Sequence, residues 1–425
     1  MSSQAKLDDY SLDLLLHAAR SFEWEKSGEL SDSVTRFLKQ VHSALDPTSL
    51  DLFRLDDIAA MSKAYWDWTA DRPQKKLLRV RQAEDRNGQT LRYTVLELCL
   101  PDMPVIVRSV TGACLDLNIN PILIIHPIMD VARTADGHRV ETGPTSKESW
   151  VQIYLDLLDE TAAKTLEKEI EDTISDLEVC VRDYSKMRTR MQHAAIDVLE
   201  NEFVAPELRK ESSEFLTWLA DEHFTFLGSR EYRFAVSGDK RLAQEEPTVV
   251  DGSSLGILSD ENRFILKRGH EPTIITTQIS DFLKEPEPII VAKGSITSRV
   301  HRRVRVDYIG IKKYDDHGEV IGEIRFAGLF TADAYNRMTR DVPLLREKVN
   351  RVIRRADKLP GSHDESALKH ILETYPRDEL FQISEQEMLE TGMAILQLQT
   401  RNETRLFVRR DRFDRFISAL VFVPR

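Results

Sequence analysis

The stretch LRYTVLELCLPDMPVIVRSVTGACLDLN, residues 91–118, contains two hydrophobic periodicities. Apolar and polar side chains alternate before Pro101, as in a β-strand, and apolar residues recur at three- and four-residue steps after Pro104, as in a helix. The apolar segments PILIIHPIM and ESWVQIYLDLL follow as strands, and the polar linker between them, ARTADGHRVETGPTSK, carries the Gly and Pro residues of a long hairpin loop. The predicted order is therefore strand, helix, strand, strand.

The same order is predicted from residue 379. ELFQIS is predicted as a short strand and EQEMLETGMAILQLQ as a helix, and RLFV (405–408) then pairs with the final segment around the turn RDRFDR. This order is completed most simply as βαββαβ, with helices on one face of an antiparallel sheet. The predicted fold class is therefore α+β, with several βαββ modules linked by long helices.

The final apolar segment bears on where the chain ends. From Phe416 onward, alternate residues point to opposite faces and both sets are largely apolar, which is typical of a strand inside a sheet. The helix that would cover Val421 and Val423 is absent from the sequence. The expectation is therefore that the chain is a truncation of a longer protein.

The rest of the sequence is predicted to be helical in residues 1–75 and 160–200 and mixed in residues 211–340. Ser31 or Asp32 is the expected N-cap of an early helix, and Trp66 and Trp68 are expected to anchor a small core rather than form a stacking platform. Residues 160–200 form one amphipathic helix or two in line. The mixed region contains a hairpin around DDHG, with Gly318 in its turn.

Composition and charge exclude several classes of protein. Of the 425 residues, 41% are hydrophobic and 31% are charged, which is typical of a soluble globular chain. The formal net charge of −12 argues against indiscriminate nucleic-acid binding, and no apolar run is long enough to span a membrane. Cys99, Cys114 and Cys180 show no C-x-x-C spacing, so we expect reduced thiols in a cytosolic protein, without disulfides or a zinc site.

The sequence carries none of the common nucleotide-binding motifs and no H-E-x-x-H metal-binding motif. It has no G-x-G-x-x-G after a strand and no G-x-x-x-x-G-K-[ST]. The one basic concentration, SRVHRRVRVDYIGIKK (298–313), is predicted as a strand whose solvated face carries Arg303, Arg305 and Asp307. The alternative is an anion- or nucleic-acid-binding strip. No catalytic residue and no metal ligand is assigned.

The loop between the first strand and the first helix is the best candidate for a binding site. It contains Asp102, Met103, Pro104 and Val105. Asp102 is placed to cap a helix that begins near Pro104, since proline suits the first helical position. The free N–H groups of that helix would bind a carboxylate, so a small amino acid would fit there. The alternative, that Asp102 is only a helix cap, stays open.

Several long ungapped segments resemble the N-terminal half of the large bacterial NAD-dependent glutamate dehydrogenases. The resemblance runs from residue 20 to the last residue and includes ILIIHPIMDVART, FLTWLADEHFTFLGSREYRF and ALKHILETYPRDELFQIS. In that family the complete subunit is far longer, and its N-terminal part is similar to a series of ACT-type regulatory modules with a PAS-like module between them. The resemblance implies that the dehydrogenase domain, with the NAD and glutamate sites, lies downstream. This chain is then expected to hold no cofactor and no catalytic residues.

The resemblance also implies a domain order. It consists of an N-terminal helical segment (1–80), an ACT-like domain (81–160), a helical linker (161–205), a PAS-like mixed α/β domain (206–340), a second helical linker (341–376) and a partial second ACT-like domain (377–425).

ACT modules often bind amino acids at the loop that Asp102–Val105 occupies. The common pattern there resembles D-x-P-G-L. This chain keeps Asp102 and Pro104 but has Val105 in place of the glycine, which disfavours the close approach of a ligand to the backbone.

The implied function is that of a cytoplasmic regulatory and oligomerising region of an NAD-dependent glutamate dehydrogenase. The complete protein would convert L-glutamate to 2-oxoglutarate and ammonia. The implied partners are further copies of the subunit, the downstream dehydrogenase domain and a free amino-acid effector, with no nucleic acid and no membrane. The alternative is a free-standing ACT- and PAS-like sensor or scaffold without catalytic activity. Dehydrogenase activity of these residues alone is disfavoured by the missing dinucleotide loop.

Overall fold

The computed structural model describes residues 12–22, 24, 30–45, 52–234, 247–263, 285–398, 401, 403–410 and 417–424. The chain divides into two compact units. One contains residues 1–177 together with Arg299–Arg303, and the other contains Glu178–Ser298 and residues 304–425. Helices and antiparallel sheets make up most of the structure, which confirms the predicted α+β class.

The described helices are α1 (12–19), α2 (Asp32–Ser43), α3 (Leu55–Trp68), α4 (Ile106–Asp116), α5 (Glu160–Glu200), α6 (Pro206–Trp218), α7 (Ala332–Asn336), α8 (Leu345–Arg355), α9 (His363–Thr374), α10 (Arg377–Gln382) and α11 (Glu385–Leu398). The described strands are β1 (Leu77–Glu84), β2 (Thr90–Pro101), β3 (Pro121–Ile125), β4 (Ile128–Arg133), β5 (Arg139–Val140), β6 (Thr145–Asp156), β7 (Phe224–Arg233), β8 (Thr248–Val249), β9 (Leu255–Gly256), β10 (Ile289–Thr297), β11 (Arg305–Tyr314), β12 (Val320–Phe330), β13 (Arg405–Arg410) and β14 (Ile417–Phe422). None of these helices combines the length and the apolar character that crossing a bilayer requires.

The first unit contains an antiparallel sheet whose described strands run in the order β1-β2-β6-β4-β5, with β3 also paired to β6. The predicted order of strand, helix, strand, strand is confirmed by β2, α4, β3 with β4, and β6. The sequence did not predict β1, because Arg79 and Arg81 interrupt its apolar pattern. Both arginines form ion pairs with Glu97 of β2. The side of β2 away from β6 is thus filled by a strand that precedes it in the chain.

Both faces of this sheet are buried, which corrects the prediction that helices cover one face only. On one face, Phe37 of α2 and Tyr65 and Trp66 of α3 make ring contacts with Trp150 of β6. The residues of β2 and β6 that point to the opposite face are buried as well, among them Leu96, Leu98, Val151 and Ile153. Strands covered on both faces have continuous apolar runs, and LELCL in β2 is close to such a run.

The predicted cap and anchors of the N-terminal helices are confirmed. The Ser31 hydroxyl accepts a hydrogen bond from Val34 N–H at the start of α2. Trp66 is buried in the core, and Trp68 packs against the same cluster. The Arg79 guanidinium lies 4.2 Å from the Trp68 ring centre, in a cation–π contact.

A buried carboxylate connects distant parts of the first unit. Glu148 accepts hydrogen bonds from Arg133 Nε at 2.6 Å, Arg72 Nη2 at 3.0 Å and Trp150 Nε1 at 3.0 Å. Burial acts to raise the pKa of Glu148. Hydrogen bonds from Arg133 and Trp150, together with the charges of Arg133 and Arg72, outweigh burial and hold the pKa below its usual range. Glu148 is therefore charged in the folded protein at neutral pH.

The second unit contains a sheet whose described strands run in the order β10-β11-β12-β7-β8, with β9 paired to β7. Phe224 and Phe226 of β7 and Phe326 of β12 pack in a core with the second half of α5 and with α6. The predicted hairpin around DDHG is confirmed. Gly318 lies in its turn at φ 81, a left-handed conformation that favours glycine.

The basic stretch 298–313 differs from its prediction. Residues 298–304 form a loop, and strand β11 begins at Arg305. Asp307, which the pattern places on the solvated face, is 3% exposed. Its carboxylate accepts hydrogen bonds from Lys293 Nζ at 2.6 Å and Phe330 N–H at 3.1 Å. The alternation of polar and apolar residues gave the wrong face for Asp307, because the ion pair with Lys293 compensates the cost of burying its carboxylate.

The prediction of a strand over ELFQIS is wrong. These residues lie mostly in helix α10, which starts directly after Pro376. The Lys348 amino group donates hydrogen bonds to the carbonyls of Leu380, at 2.8 Å, and Phe381, at 3.3 Å. Leu380 is buried in a cluster with α8, α9 and α11. Tertiary packing and satisfied carbonyl groups thus override the local strand preference.

The terminal hairpin consists of β13 and β14, which pair from Arg405 opposite Phe422 to Arg410 opposite Ile417. Its predicted turn, and Phe416, lie outside the described residues. On one face of the hairpin, Phe407, Leu420 and Phe422 are partly buried against the helices of the second unit. Leu406 is 57% exposed, Val421 55% and Val423 65%, which corrects the prediction of a strand inside a sheet.

Substitution of Arg133 by methionine tests the Glu148 cluster. The variant leaves Glu148 buried without its main partner, so the free energy of unfolding should fall by about 3–5 kcal/mol in urea denaturation followed by circular dichroism. Lys63→Met is the control, because it breaks the exposed ion pair with Asp67 and should cost less than about 1 kcal/mol. Equal losses in the two variants would contradict a stabilising role for the buried cluster.

The cysteines should not react in the folded protein. Cys99, Cys114 and Cys180 are buried and form no disulfide, and burial raises the pKa of Cys99 to about 12 and that of Cys114 to about 11. Because the thiolate is the reactive form, a disulfide reagent at pH 8 should label no thiol before unfolding and all three after urea is added. Rapid labelling of the native chain would show that these side chains are accessible.

Candidate ligand-binding loop

The candidate loop occupies the connection between β2 and α4, where the sequence placed it. Helix α4 begins at Ile106, and its N-cap residue is Val105, which makes no side-chain capping hydrogen bond. The predicted role of Asp102 as the helix cap is therefore wrong. Asp102 lies just after β2 instead. Its N–H donates a hydrogen bond of 2.9 Å to the carbonyl of Lys147 on the neighbouring strand β6.

Asp102 takes part in a hydrogen-bonded row with two residues that the sequence did not suggest. The Ser149 hydroxyl donates to Asp102 Oδ1 at 2.6 Å, and His126 Nε2 lies 3.1 Å from the same hydroxyl. Since the Ser149 proton is directed at Asp102, His126 Nε2 is the donor in the second bond. Burial lowers the pKa of His126, and the negative charge of Asp102 opposes this shift only in part. His126 is therefore neutral at pH 7.

Strand pairing explains why these residues meet. Ser149 of β6 lies opposite Leu100 of β2, two residues before Asp102. His126 follows β3, which also pairs with β6. Ser149 is fully buried, whereas Asp102 is exposed, so the serine holds one side of a carboxylate whose other side is open to solvent. The sequence offered no signal for this, because the residues are far apart along the chain.

Val105 has a left-handed backbone, with φ 60 and ψ 16. This conformation is rare for a β-branched residue and is the one that glycine adopts without strain. The chain thus keeps a glycine-like backbone at the position where the sequence has valine. The Val105 carbonyl accepts hydrogen bonds from Ser109 N–H at 3.0 Å and Ser109 Oγ at 2.8 Å.

The loop therefore places two complementary groups side by side. The N-cap residue of α4, Val105, offers no side-chain acceptor to the N–H groups of the first turn, and three residues earlier Asp102 presents a carboxylate that Ser149 holds by a hydrogen bond. Met103 and Val105 are half-buried, and Pro104 is exposed. In the described ranges, no group of three or more His, Cys, Asp or Glu side chains is arranged to hold a metal ion.

Two family models match parts of this chain. The family model for the ACT1 domain of glutamate dehydrogenase matches residues 37–170, which include the second half of α2, all of α3, the six strands of the first sheet and the candidate loop. The family model for helical motif 1 of glutamate dehydrogenase matches residues 342–401, which include α8 to α11. Both models describe the same kind of enzyme.

Three curated relatives of this chain are NAD-specific glutamate dehydrogenases. The NAD-specific glutamate dehydrogenase of Halomonas elongata is 32% identical over 436 residues, covering 98% of this chain and 26% of the relative. That of Pseudomonas aeruginosa is 32% identical, covering 92% of this chain and 24% of the relative. That of Mycobacterium tuberculosis is 27% identical, covering 76% of this chain and 19% of the relative.

Over most of its length the chain is thus similar to the N-terminal part of NAD-specific glutamate dehydrogenases, which confirms the resemblance of its motifs. It spans about a quarter of the length of the first two relatives.

Val105→Gly tests whether the loop is strained. A left-handed backbone costs a non-glycine residue about 1–2 kcal/mol, so the variant should raise the free energy of unfolding by up to about 1 kcal/mol despite the loss of the side chain. Val107→Gly is the matched control, since Val107 is also half-buried but lies inside α4, and it should lower stability by about 1 kcal/mol. A loss of the same size in both variants, measured by urea denaturation, would mean that Val105 carries no strain.

Proposed function

We propose that this chain is the N-terminal regulatory and oligomerising region of an NAD-dependent glutamate dehydrogenase. The complete protein would oxidise L-glutamate to 2-oxoglutarate and ammonia, with hydride transfer to NAD. The match to the N-terminal part of the curated relatives supports this proposal. The nicotinamide and glutamate sites would lie in the part of the relatives that this chain does not match.

The proposed domain order follows the sequence prediction. An ACT-like domain at 81–160 and a PAS-like domain at 206–340 would be separated by the helical linker 161–205, and a second linker, 341–376, would lead to a partial ACT-like domain at 377–425. The two compact units support a division within α5, near Leu177. The proposed location is the cytoplasm.

The candidate loop carries the sensing part of the proposal. A free amino acid would place its carboxylate on the uncapped N–H groups of α4 and its ammonium group on Asp102. Met103, Pro104 and Val105 would form the backbone of this site. The observation that supports it most directly is the hydrogen bond from Ser149, which holds one oxygen of the exposed Asp102 carboxylate, while the N-cap residue of α4 is Val105.

Assembly is the other part of the proposal, and the sheet of the first unit supports it. Strand β1 pairs on one side with β2, and among the described strands it has no partner on its other side. Such an edge can pair with the edge of another chain. Further copies of the subunit are therefore the proposed protein partners, together with the dehydrogenase domain of the complete protein.

Titration calorimetry with a panel of amino acids tests the sensing role. At protein concentrations above about 100 µM, one of them should bind in the micromolar to millimolar range. Asp102→Asn should weaken binding about tenfold or more, because a charge-assisted hydrogen bond is lost. Asp130→Asn is the control, since this exposed carboxylate lies on β4 of the same sheet. No heat with any amino acid would refute sensing and leave assembly alone.

A coupled set of measurements separates this proposal from a free-standing sensor. The chain alone should give no NADH absorbance with glutamate and NAD, whereas the complete reading frame should give sustained turnover. An inactive complete protein would favour the sensor or scaffold. Turnover by these 425 residues alone would overturn the proposal that the chain is regulatory.

A further inference from the structure

The hydroxyl group of Ser109 contacts both the candidate loop and a segment that is remote in sequence. Ser109 Oγ donates a hydrogen bond of 2.8 Å to the carbonyl of Val105 and accepts one of 2.9 Å from His301 N–H. Ser109 is 1% exposed. His301 belongs to Arg299–Arg303, which the first compact unit includes although the chain on both sides of it belongs to the other unit.

Both residues that Ser109 contacts have strained backbones. Val105 lies at φ 60 and His301 at φ 68, and neither is glycine. Residues in this region keep their conformation only where their surroundings hold them there. The Ser109 hydroxyl is a shared part of those surroundings, so a shift of the Val105 carbonyl changes the acceptor that His301 uses.

Other residues of the segment, Arg299 and Arg303, form hydrogen bonds with α5. Arg303 Nη1 lies 2.8 Å from Glu169 Oε1 and Arg303 Nη2 lies 2.8 Å from Thr173 Oγ1, both on α5. Arg299 Nε also lies 3.2 Å from Glu169. Both ends of the segment therefore contact α5, and Arg303 Nη1 also lies 3.4 Å from Asp116 Oδ2 of α4. The middle residue, His301, contacts α4 through Ser109 and through Arg108, whose Nη1 lies 3.1 Å from His301 Nε2.

We propose that Ser109 is a positioning residue that couples the candidate loop to Arg299–Arg303. A ligand that moves Val105 would change the hydrogen bond to His301, and the state of the segment would in turn change the affinity of the loop by the same factor. The segment leads along the chain into β11. The identity of the ligand rests on the proposed function, whereas the coupling rests on the contacts above.

Hydrogen exchange of the full chain, followed by mass spectrometry on peptides covering 298–304, tests the coupling without a ligand. Val105→Gly should change exchange in the segment about fivefold, at the low end of typical coupling between sites. Ser109→Ala should speed exchange at His301, and Val105→Gly should then have no further effect. Circular dichroism verifies that each variant is folded.

Thr111→Ala is the matched control. Like Ser109, Thr111 donates a hydrogen bond to the carbonyl four residues before it, from Oγ1 to Val107 at 2.9 Å. Its described hydrogen bonds stay within α4. Thr111→Ala should leave exchange in the segment unchanged and should preserve the effect of Val105→Gly. The coupling would be overturned if Val105→Gly changed hydrogen exchange in 298–304 equally in the native background and in Ser109→Ala, or did not change it in either.

A second arm uses whichever amino acid binds in the calorimetric panel. That amino acid should change exchange in 298–304 in the native chain, and Ser109→Ala should remove this change. Binding with no change in the segment would refute the coupling while leaving the sensing role intact. If no amino acid binds, the sensing role fails, and the Val105→Gly and Ser109→Ala pair still decides whether the two loops are coupled.

Discussion

The register between β2 and β6 is the constraint on which the first unit depends. It sets Cys99 opposite Trp150 and Leu100 opposite Ser149. Because side chains alternate between the faces of a strand, a slip of one residue would move Trp150 out of the aromatic core and Ser149 away from Asp102. The core on one side of the sheet and the candidate loop at its end therefore depend on one pairing.

Buried charges make this register costly to change. Glu148 on β6 has arginine partners from β4 and from the turn after α3, and Glu97 on β2 has partners from β1. A buried carboxylate without its partners costs several kcal/mol, more than most single hydrophobic contacts contribute. The ion pairs thus penalise alternative pairings, which apolar packing alone tolerates. This also explains why an arginine-rich segment forms the edge strand β1.

The sequence predicted those parts of the fold that depend on neighbouring residues. Helix α5 has the predicted bounds of 160–200, the DDHG hairpin turns at Gly318, and the candidate loop lies between a strand and a helix as expected. Local prediction failed at ELFQIS, whose strand-like composition gives way to the packing of Leu380. It failed at Asp307 as well, because the partner that permits burial lies on another strand.

By itself, the sequence determined the strand–helix–strand–strand order that starts at residue 91, the resemblance to NAD-specific glutamate dehydrogenases, and the position of the Asp102–Val105 loop, since periodicity and motifs are properties of contiguous residues. Only the tertiary structure decided that Asp102 bonds to Ser149 instead of capping α4, and that Ser109 meets His301. Those contacts join residues that are far apart along the chain. Strand register and helix packing bring them together, and neither leaves a pattern in a short window of sequence.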